Sequence, residues 1–430
     1  MRIGTKKLHV LWAAVAVLLA GVLAGCGETG QQTVMEQSRG QTQEAAGTMD
    51  MAFQEQMQIE EAETTDVTIQ EQMGIAQAAE EVDWPDAMEA LLNDMYGDYM
   101  EEDGEIAFLP EGTLMDGVYN ETIYNGIRMY ALAAGVSFSY YGVEDNTHEA
   151  YLDAIIHAAD HHARVIVCAG ENFQKAVGEL QDVYPQVSFL LIDGVPMKED
   201  GEEAEIAGNV HCVAFKEEQS GYLAGYMAVL EGYHRFGFVG GVETVPVIRY
   251  GYGYLQGIDD AAVFLQLDDV EVNYWYAGTY EPGPEIQKKM SDWYDSGTEV
   301  IFACGGSIYE SVLKTAEEKG GLMIGVDVDQ NRESERVLTS AVKDTANAVI
   351  ISLDDFFAAG GRWPETYAGQ RRLYGAKENC TGIPVTDTEW RFKNVTTDEY
   401  YEIFHQVRRG EIEVSDAVEE RPQVTVTVNY

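Results

Sequence analysis

Acidic, aromatic and glycine residues follow several short apolar runs of this 430-residue chain. Carboxylates and a lysine can hold the hydroxyl groups of a small molecule by charge-assisted hydrogen bonds, and aromatic rings can stack on a flat ligand. Glycines let backbone amides approach such a ligand closely. Together these residue types are typical of a binding site for a small polar molecule. The candidate residues are Glu111, Gly112, Tyr119, Asn120, Glu171, Tyr250, Gly305, Gly306, Asp327 and Lys343.

Each candidate also has an ordinary structural interpretation. Either tyrosine could cover a helix end, and the pair Gly305-Gly306 could form a plain turn between a strand and a helix. Asp327 could cap a helix, and Lys343 could be a solvated lysine. Their shared position after predicted strands favours the binding interpretation, because ligands of open parallel sheets bind beyond the carboxyl ends of the strands.

The elements that must position these residues alternate along the chain from Glu105 onward. Continuous apolar runs of strand length are followed by amphipathic helical segments, which is the pattern of parallel strands covered on both faces. The runs include 106–109, 136–141, 164–170, 187–193, 210–215, 235–241, 270–276, 299–306 and 322–329. Such runs both precede and follow 210–215. The pattern therefore predicts an α/β protein of two lobes, each with its own parallel sheet.

The connections between the lobes can be predicted from the order of these runs. We expect the chain to pass between the lobes near Phe215, Asp329 and Leu338, and these segments to bend when the lobes close. The predicted lobes are 105–214 with about 338–362, and 215–337 with about 363–430.

The N-terminal part is predicted to lie outside this two-lobed body. Residues 1–25 have a basic start and an apolar run, as in an export signal. The run is short for a transmembrane helix, and its end, LAGC, resembles a lipoprotein lipobox, which implies lipid attachment at Cys26 rather than an ordinary secretory signal. Residues 26–104 carry twenty acidic side chains against the single Arg39, which predicts a disordered, self-repelling tether. The segment 85–99 could form a short helix.

The overall charge excludes one large class of partners. The chain has 27 Lys and Arg against 74 Asp and Glu, a net charge of −47. A nucleic-acid-binding protein needs clustered cations, and anionic lipid surfaces attract them too, so we predict no nucleic acid and membrane contact only through the lipid anchor. The cysteines show no CxxC or metal-ligand spacing, so no metal, cofactor or disulfide framework is predicted.

Seven segments match a known family in order and spacing. They are YPQVSFLLIDG (184–194), VAFKEEQSGYLAGYMA (213–228), FGFVGG (236–241), YGYLQG (252–257), TEVIFACGG (298–306), GVDVDQ (325–330) and LTSAVKD (338–344). Over about 105–390 the chain resembles the basic membrane protein family of ABC-transporter solute-binding lipoproteins, whose studied members bind purine and other nucleosides. The resemblance implies a type I periplasmic-binding-protein fold. In that fold a hinge of three crossing segments joins two Rossmann-like lobes.

The resemblance also implies roles for individual residues. By position, the family's ligand contacts correspond to Tyr119, Asn120, Tyr250, Asp327 and Lys343. Tyr119 and Tyr250 would stack on the two sides of an aromatic heterocycle, and Asp327 would bind a ribose diol. The chain departs from the family at two acids. Glu111 stands where the family has an aspartate, and Glu171 directly follows its glycine, whereas the family's acid lies further along that loop.

The predicted function is therefore capture of a nucleoside-like ligand, with purine nucleosides as the first candidates. The resemblance implies a monomeric receptor, lipid-anchored on the extracytoplasmic face, that delivers this ligand to the permease and ATPase subunits of an ABC importer. Two alternatives are a sensory lipoprotein that feeds a signalling partner and a receptor for another small molecule such as a sugar derivative. An enzyme is not predicted, because no HExxH or GxSxG occurs and the glycines of 251–257 have the wrong spacing for a dinucleotide fingerprint.

Overall fold

A computed structural model describes residues 103–112, 114, 119–143, 145–385 and 390–430. The predictions for the export signal, for Cys26 and for a helix at 85–99 fall outside these residues, as does the predicted tether up to residue 102. None of the helices in the described ranges is both long and apolar enough to cross a bilayer.

Strands and helices alternate along the described residues, as the apolar runs predict. The first elements are β1 (Ile106–Leu109), α1 (Tyr119–Ala134), β2 (Phe138–Tyr140), α2 (His148–Asp160), β3 (Val165–Ala169), α3 (Gln174–Leu180), β4 (Ser188–Ile192) and β5 (Val210–Phe215). They are followed by α4 (Glu217–Glu231), β6 (Arg235–Gly240), α5 (Val245–Leu265), β7 (Glu271–Tyr276), α6 (Pro284–Asp295), β8 (Val300–Cys304), α7 (Ile308–Lys319) and β9 (Leu322–Asp327). The last are β10 (Val337–Lys343), α8 (Thr345–Ala358), β11 (Gln370–Tyr374), β12 (Thr381–Gly382), α9 (Thr397–Arg409) and β13 (Thr427–Asn429).

The two lobes repeat one topology. The sheet of lobe 1 has the strand order β11-β5-β4-β3-β1-β2, and that of lobe 2 has the order β12-β10-β9-β8-β6-β7-β13. Neighbouring strands are parallel except for the antiparallel pair β10 and β12. Without the edge strands β11, β12 and β13, the order β5-β4-β3-β1-β2 corresponds to β10-β9-β8-β6-β7. Each strand from β1 to β5 therefore has a counterpart five strands later in lobe 2.

Both faces of each sheet are covered, which explains the continuous apolar runs. All residues of β1, β3, β4 and β8 are buried. In lobe 1, separate apolar clusters cover the two faces, one with α1 and α8 and the other with α2 and α3. In lobe 2, α4, α5 and α9 pack in one cluster and α6 and α7 in another. A strand that is buried on both sides has no solvent face, so it shows no alternation of polar residues.

Helices α4 and α5 of lobe 2 approach each other closely through glycines. A Cβ atom on Gly221 would collide with the carbonyl oxygen of Tyr250, and one on Gly253 would collide with the backbone of Glu218. The glycine string 251–257 thus lies inside helix α5, where it allows close helix packing. It does not follow a strand, so it lacks the setting of a dinucleotide-binding loop.

The chain passes between the lobes three times, and two of these passages differ from the prediction. The first, from β5 to α4, lies at Phe215 as expected. Residues 338–343 were expected in lobe 1, but β10 pairs with β9 in the sheet of lobe 2. Strand β11 was expected in lobe 2, but it pairs with β5 in lobe 1. The second crossing is therefore at 343–345 rather than near Asp329 or Leu338, and the third lies between β11 and β12. An apolar run indicates a strand, but only its pairing with strands distant in sequence determines to which sheet the strand belongs.

Candidate ligand-binding site

The carboxyl ends of the two sheets meet around the side chain of Lys343. This residue ends β10 in lobe 2, and its Nζ lies 2.9 Å from Oδ2 of Asp193, which follows β4 in lobe 1. The same Nζ lies 3.8 Å from Oδ1 of Asp327, which ends β9. One lysine thus contacts a carboxylate from each lobe, at the edge where open parallel sheets bind ligands.

The two aspartates occupy corresponding positions in the repeated topology, because β4 in lobe 1 matches β9 in lobe 2. Both have a left-handed backbone, with φ of 56° at Asp193 and 64° at Asp327. Aspartate tolerates this conformation better than most residues, and the turn directs each chain away from its strand end. Sequence reasoning missed Asp193. Its signal was present in the likeness between the endings FLLID and MIGVD of the two runs.

Lys343 is charged in spite of its burial. Its side chain is only 7% exposed, and this burial alone would lower its pKa. The negative charges of Asp193, Asp327 and Glu217 outweigh burial and raise the pKa well above its ordinary value. Its Nζ also lies 5.5 Å from the ring centre of Tyr119, within the range of a cation–π contact. The cleft therefore has a fixed positive charge between acidic groups.

Tyr119, at the start of α1, lies beside this lysine. Its hydroxyl donates to the carbonyl of Ile192 over 3.5 Å, next to Asp193. Burial first, and then the charge of Asp193, raise the pKa of Tyr119 well above 10, so its hydroxyl is a permanent donor. The structure thus brings Tyr119, Lys343 and Asp327 together, from three elements that the sequence places far apart.

Tyr250 has a different place from the one expected. Its side chain is 2% exposed, and its ring lies edge-on to Phe302 at 6.0 Å in the core of lobe 2. Its hydroxyl donates to Oδ1 of Asp327 over 3.0 Å. The ring is therefore part of the core rather than the free stacking face that we expected, and the hydroxyl orients Asp327.

Asp327 keeps one oxygen for a further partner. Tyr250 and Lys343 both approach its Oδ1, whereas its Oδ2 accepts no hydrogen bond from any residue that the structure describes. The Asp327 side chain is 26% exposed at the cleft. A carboxylate held on one side and open on the other is suited to accept hydrogen bonds from ligand hydroxyl groups.

A second aromatic residue, Tyr280, lies in the loop after β7 and was not predicted. Its side chain is 37% exposed, and its hydroxyl shares a hydrogen bond of 3.2 Å with Thr244. The ring and backbone of Tyr280 pack on Gly305 and Gly306. A Cβ atom would lie 3.0 Å from Cε1 of Tyr280 at Gly305 and 2.7 Å from its Cβ at Gly306. These glycines were predicted to let a ligand approach the backbone, and in the structure they allow the close packing of Tyr280.

Charges from both lobes act on Tyr280. Burial raises its pKa, the bond to Thr244 lowers it, and the carboxylates of Glu171 and Asp327 raise it further. Glu171 belongs to lobe 1 and Asp327 to lobe 2, so charges from both lobes reach Tyr280. The signal for it in the sequence was indirect, since it packs on two strand-to-helix turns that contain glycine pairs, Gly240-Gly241 and Gly305-Gly306.

The predicted acid Glu111 is directed into its own lobe. Its carboxylate accepts hydrogen bonds from the backbone and side chain of Asn172, the former over 3.2 Å, and its carbonyl accepts one of 2.9 Å from Asn120. Burial raises its pKa, the Asn172 amide lowers it, and Glu171 raises it. Glu111 and Asn120 therefore fasten the loop after β1, in which Gly112 has a φ of 81°. Glu171 is exposed beside them.

A comparison with protein families accounts for this arrangement. Residues 104–416 match the family model described as Bmp, ABC transporter substrate-binding protein PnrA-like. This range includes both lobes and every candidate residue of the cleft. The chain belongs to the Bmp family. It is therefore a substrate-binding protein of the ABC transporter type, and this family is one of solute receptors rather than of enzymes.

Curated relatives of this Bmp protein have related names. It is 25% identical over 287 residues to basic membrane protein A1 of Borrelia garinii subsp. bavariensis, which covers 65% of this chain and 79% of that protein. It is 23% identical over 257 residues to the ABC transporter nucleoside-binding protein BmpA of Lactococcus lactis subsp. cremoris, with 54% of this chain and 69% of that protein covered.

Solved structures confirm the fold class predicted for this Bmp protein. One of them, described as ABC transporter system solute-binding proteins from Aeropyrum pernix K1, aligns with a TM-score of 0.53 at 20% identity. The alignment covers 72% of this chain and 86% of that one. The two lobes with parallel sheets thus form the periplasmic solute-binding fold that the resemblance implied.

Proposed function

We propose that this Bmp protein captures a nucleoside, with purine nucleosides as the first candidates, between its two lobes. In this proposal Cys26 carries a lipid anchor on the extracytoplasmic face, and the monomeric receptor delivers its ligand to the permease and ATPase subunits of an ABC importer. The observation that carries the proposal is the free Oδ2 of Asp327, since it lies beside a buried cation where the two sheets meet.

The sugar of a nucleoside supplies the groups that this oxygen needs. A carboxylate oxygen can accept hydrogen bonds from both hydroxyls of a ribose diol, and such charge-assisted bonds are stronger than neutral ones. Tyr250 and Lys343 hold the carboxylate from the other side, so it need not reorient on binding. The printed name of the Lactococcus relative, a nucleoside-binding protein, supports the same ligand class.

The base of a nucleoside would lie against the aromatic residues of the cleft. Tyr119 in lobe 1 and Tyr280 in lobe 2 are the two partly exposed tyrosines next to the charged cluster. Each stacking contact contributes about 0.5–1.5 kcal/mol beyond the area that it buries. Tyr280 takes the stacking role for which we had expected Tyr250.

The charge of the cleft favours a ligand without a phosphate group. Asp193, Asp327 and Glu171 carry negative charge, and Lys343 already has two carboxylate partners. An added phosphate would face these carboxylates while Lys343 is already paired with two of them, and like charges in a partly buried site repel strongly. A nucleoside should therefore bind much more tightly than its monophosphate.

Calorimetric titration of the purified chain tests the proposal. Guanosine, inosine and adenosine are compared with 2′,3′-dideoxyinosine and with guanosine monophosphate, and native mass spectrometry first shows whether a ligand has co-purified. We expect the ribonucleosides to bind at least about ten-fold more tightly than the dideoxy compound, because the compound leaves the Asp327 carboxylate without its partners.

A matched pair of variants assigns the effect to this site. Asp327→Asn keeps the volume and tolerates the left-handed backbone, and it should remove most of the preference for the diol. Asp268→Asn is the control, since Asp268 is exposed just before β7, at the opposite edge of the sheet. Equal binding of ribonucleoside and dideoxynucleoside by the wild type would contradict a role of Asp327 in diol recognition. No binding of any nucleoside would contradict the ligand class.

A further inference from the structure

Two consecutive residues in the first turn of α4 contact all the segments that join the lobes. One is Ser220, which is fully buried. Its hydroxyl donates to the carbonyl of Val342 over 2.7 Å and accepts from the backbone amide of Gly382 over 2.9 Å. Val342 precedes the second crossing, and Gly382 follows the third. A single hydroxyl thus links the first crossing, which leads into α4, to the other two.

Gln219 makes a second set of bonds to the third crossing. Its Oε1 accepts from the backbone amide of Ala376 over 2.8 Å and from the hydroxyl of Thr381 over 3.2 Å. The preceding residue, Gly375, has no side chain, and a Cβ atom there would collide with Oε1 of Gln219. The third crossing is therefore bound at both of its ends by residues of α4.

Backbone hydrogen bonds complete the connection between the crossings. The amide of Lys216 in the first crossing donates to the carbonyl of Tyr374 at the start of the third over 2.9 Å. The amide of Asp344 in the second crossing donates to the carbonyl of Cys380 in the third over 2.8 Å. The three segments thus form one hydrogen-bonded bundle, and the side chains of Gln219 and Ser220 lie at its centre.

We propose that Gln219 and Ser220 are positioning residues that make the three crossings bend as one pivot. Three separate segments could twist and slide independently, so the ligand-free protein would sample many open arrangements. A ligand that needs both lobes would then bind more weakly, because only a small fraction of the molecules would be competent to close on it. The hydrogen bond from Ser220 also fixes the carbonyl of Val342, and it thereby holds the backbone next to Lys343 in the cleft.

Two substitutions in the bundle and one control test this role. Ser220→Ala removes the bonds to Val342 and Gly382, and Gln219→Ala removes only those to the third crossing, at a half-buried position. Ser311→Ala is the matched control. Ser311 is also buried, at 1% exposure in α7, and its hydroxyl accepts from the backbone amide of Gly283 over 2.9 Å and donates to the carbonyl of Gly283 over 3.4 Å, away from the crossings.

The first measurement needs no ligand. Amide hydrogen exchange is followed at 342–345 and 375–382, and small-angle scattering gives the radius of gyration of the ligand-free protein. Both bundle variants should exchange about ten-fold faster in these two segments and have a larger radius, because each loses two hydrogen bonds of the pivot. Unchanged exchange at the crossings in both variants, or the same acceleration in Ser311→Ala, would overturn the proposal.

The second measurement uses guanosine as the probe and rests on the proposed function. Its dissociation constant should rise about three- to ten-fold in both bundle variants and stay unchanged in the control. A merely structural role would lower the melting temperature of Ser220→Ala and Ser311→Ala alike without such a split. If the wild type binds no nucleoside, the nucleoside proposal fails, while the exchange data still decide on the pivot. Altered exchange with unchanged guanosine affinity would overturn the role of the pivot in binding.

Discussion

The substitution Asp193→Asn isolates the charge that lobe 1 contributes to Lys343. Asparagine has nearly the same volume and tolerates a φ of 56°, so the backbone is kept while the charge is removed. The lysine lies 2.9 Å from Asp193 and 3.8 Å from Asp327, and its side chain is 7% exposed. Because Asp327 remains, the lysine does not become an isolated buried charge.

The size of the effect follows from this geometry. Removing one partner of a buried ion pair costs about 3–5 kcal/mol when the other charge is left alone, and a hydrogen bond to a charged group contributes about 1.5–3 kcal/mol. With Asp327 still nearby, we expect a loss of about 2 kcal/mol, which corresponds to a decrease of roughly 3 °C in the melting temperature of a folded body of this size.

The loss of unfolding free energy in Asp193→Asn should not depend on pH just below neutrality. Burial lowers the pKa of Lys343, but Asp193 and the other carboxylates raise it well above its ordinary value. A base whose folded-state pKa is raised contributes its full stabilisation below its unfolded-state pKa, and loses it only as the pH rises through the folded-state value. The difference between wild type and Asp193→Asn should therefore be equal at about pH 5.5 and about pH 6.5, because the neighbouring Glu217, whose pKa burial raises to about 8, stays protonated in the folded protein over this range.

Urea unfolding of four proteins measures this pair directly. They are the wild type, Asp193→Asn, Lys343→Met and the double variant, with the exposed Asp268→Asn as a control for the chemical change. We expect the two single losses to overlap, with a coupling energy of about 1–2 kcal/mol. Losses that simply add in the double variant would show that the contact between Asp193 and Lys343 does not stabilise the protein, and would refute this account of the cleft.

Three further predictions concern other parts of the molecule. Tyr250→Ala should destabilise the fold by about 3–5 kcal/mol in urea unfolding, because it empties a core position. By contrast, Tyr280→Ala should weaken guanosine binding about ten-fold with little change in melting temperature, and equal behaviour of both variants would contradict their different burial. Burial lowers the pKa of His211 to about 3 in the folded protein, whereas its pKa in the unfolded state is about 6.5. The folded protein therefore loses stability as the pH falls from about 6.5 towards 3, because only the unfolded state readily binds the proton. Between about pH 7 and pH 4.5 the free energy of unfolding of His211→Leu should accordingly fall by about 2–3 kcal/mol less than that of the wild type. An equal fall in both proteins would show that this histidine does not titrate as expected. Deleting 27–80 should leave solution affinity unchanged and Cys26→Ala should release the protein from membranes, as titration and cell fractionation would show.

The strands of this fold could be predicted well because their burial leaves a direct trace in the sequence. Strands β3 and β8, for example, are fully buried and appear as the apolar runs RVIVCAG and EVIFACGG. The positions just beyond the strand ends followed from these runs, and so Asp327 and Lys343 could be placed in one cleft. Each prediction of this kind depends only on local sequence and on a general property of parallel sheets.

The assignment of strands to lobes could not be predicted in the same way. The segments 337–343 and 370–374 are both strands, but each pairs in the lobe opposite to the one in which its range was expected. Nothing in their own residues specifies the partner, since β10 must meet β9 and β11 must meet β5 across long separations in sequence. The second and third crossings were misplaced for this reason.

The two tyrosines of lobe 2 show a second limit. Tyr250 follows a strand and a glycine pair, and Tyr280 lies in a loop without periodicity, so the sequence favoured Tyr250 as the stacking residue. The structure buries Tyr250 against Phe302 and exposes Tyr280 over Gly305. Tertiary packing decides which ring faces the cleft. The glycines that pack on Tyr280 were the only local sequence feature that indicated this arrangement.

The repeated topology explains why the charged residues of the cleft lie next to the hinge. Because β4 and β9 correspond, each lobe brings an aspartate to the same edge, and two facing carboxylates would repel unless a cation lay between them. Lys343 supplies that charge from the last residue before the second crossing. The charge balance of the cleft and the path of the hinge therefore depend on the same few residues. A substitution there should change closure and ligand binding together, whereas a substitution elsewhere in either sheet should mainly change stability.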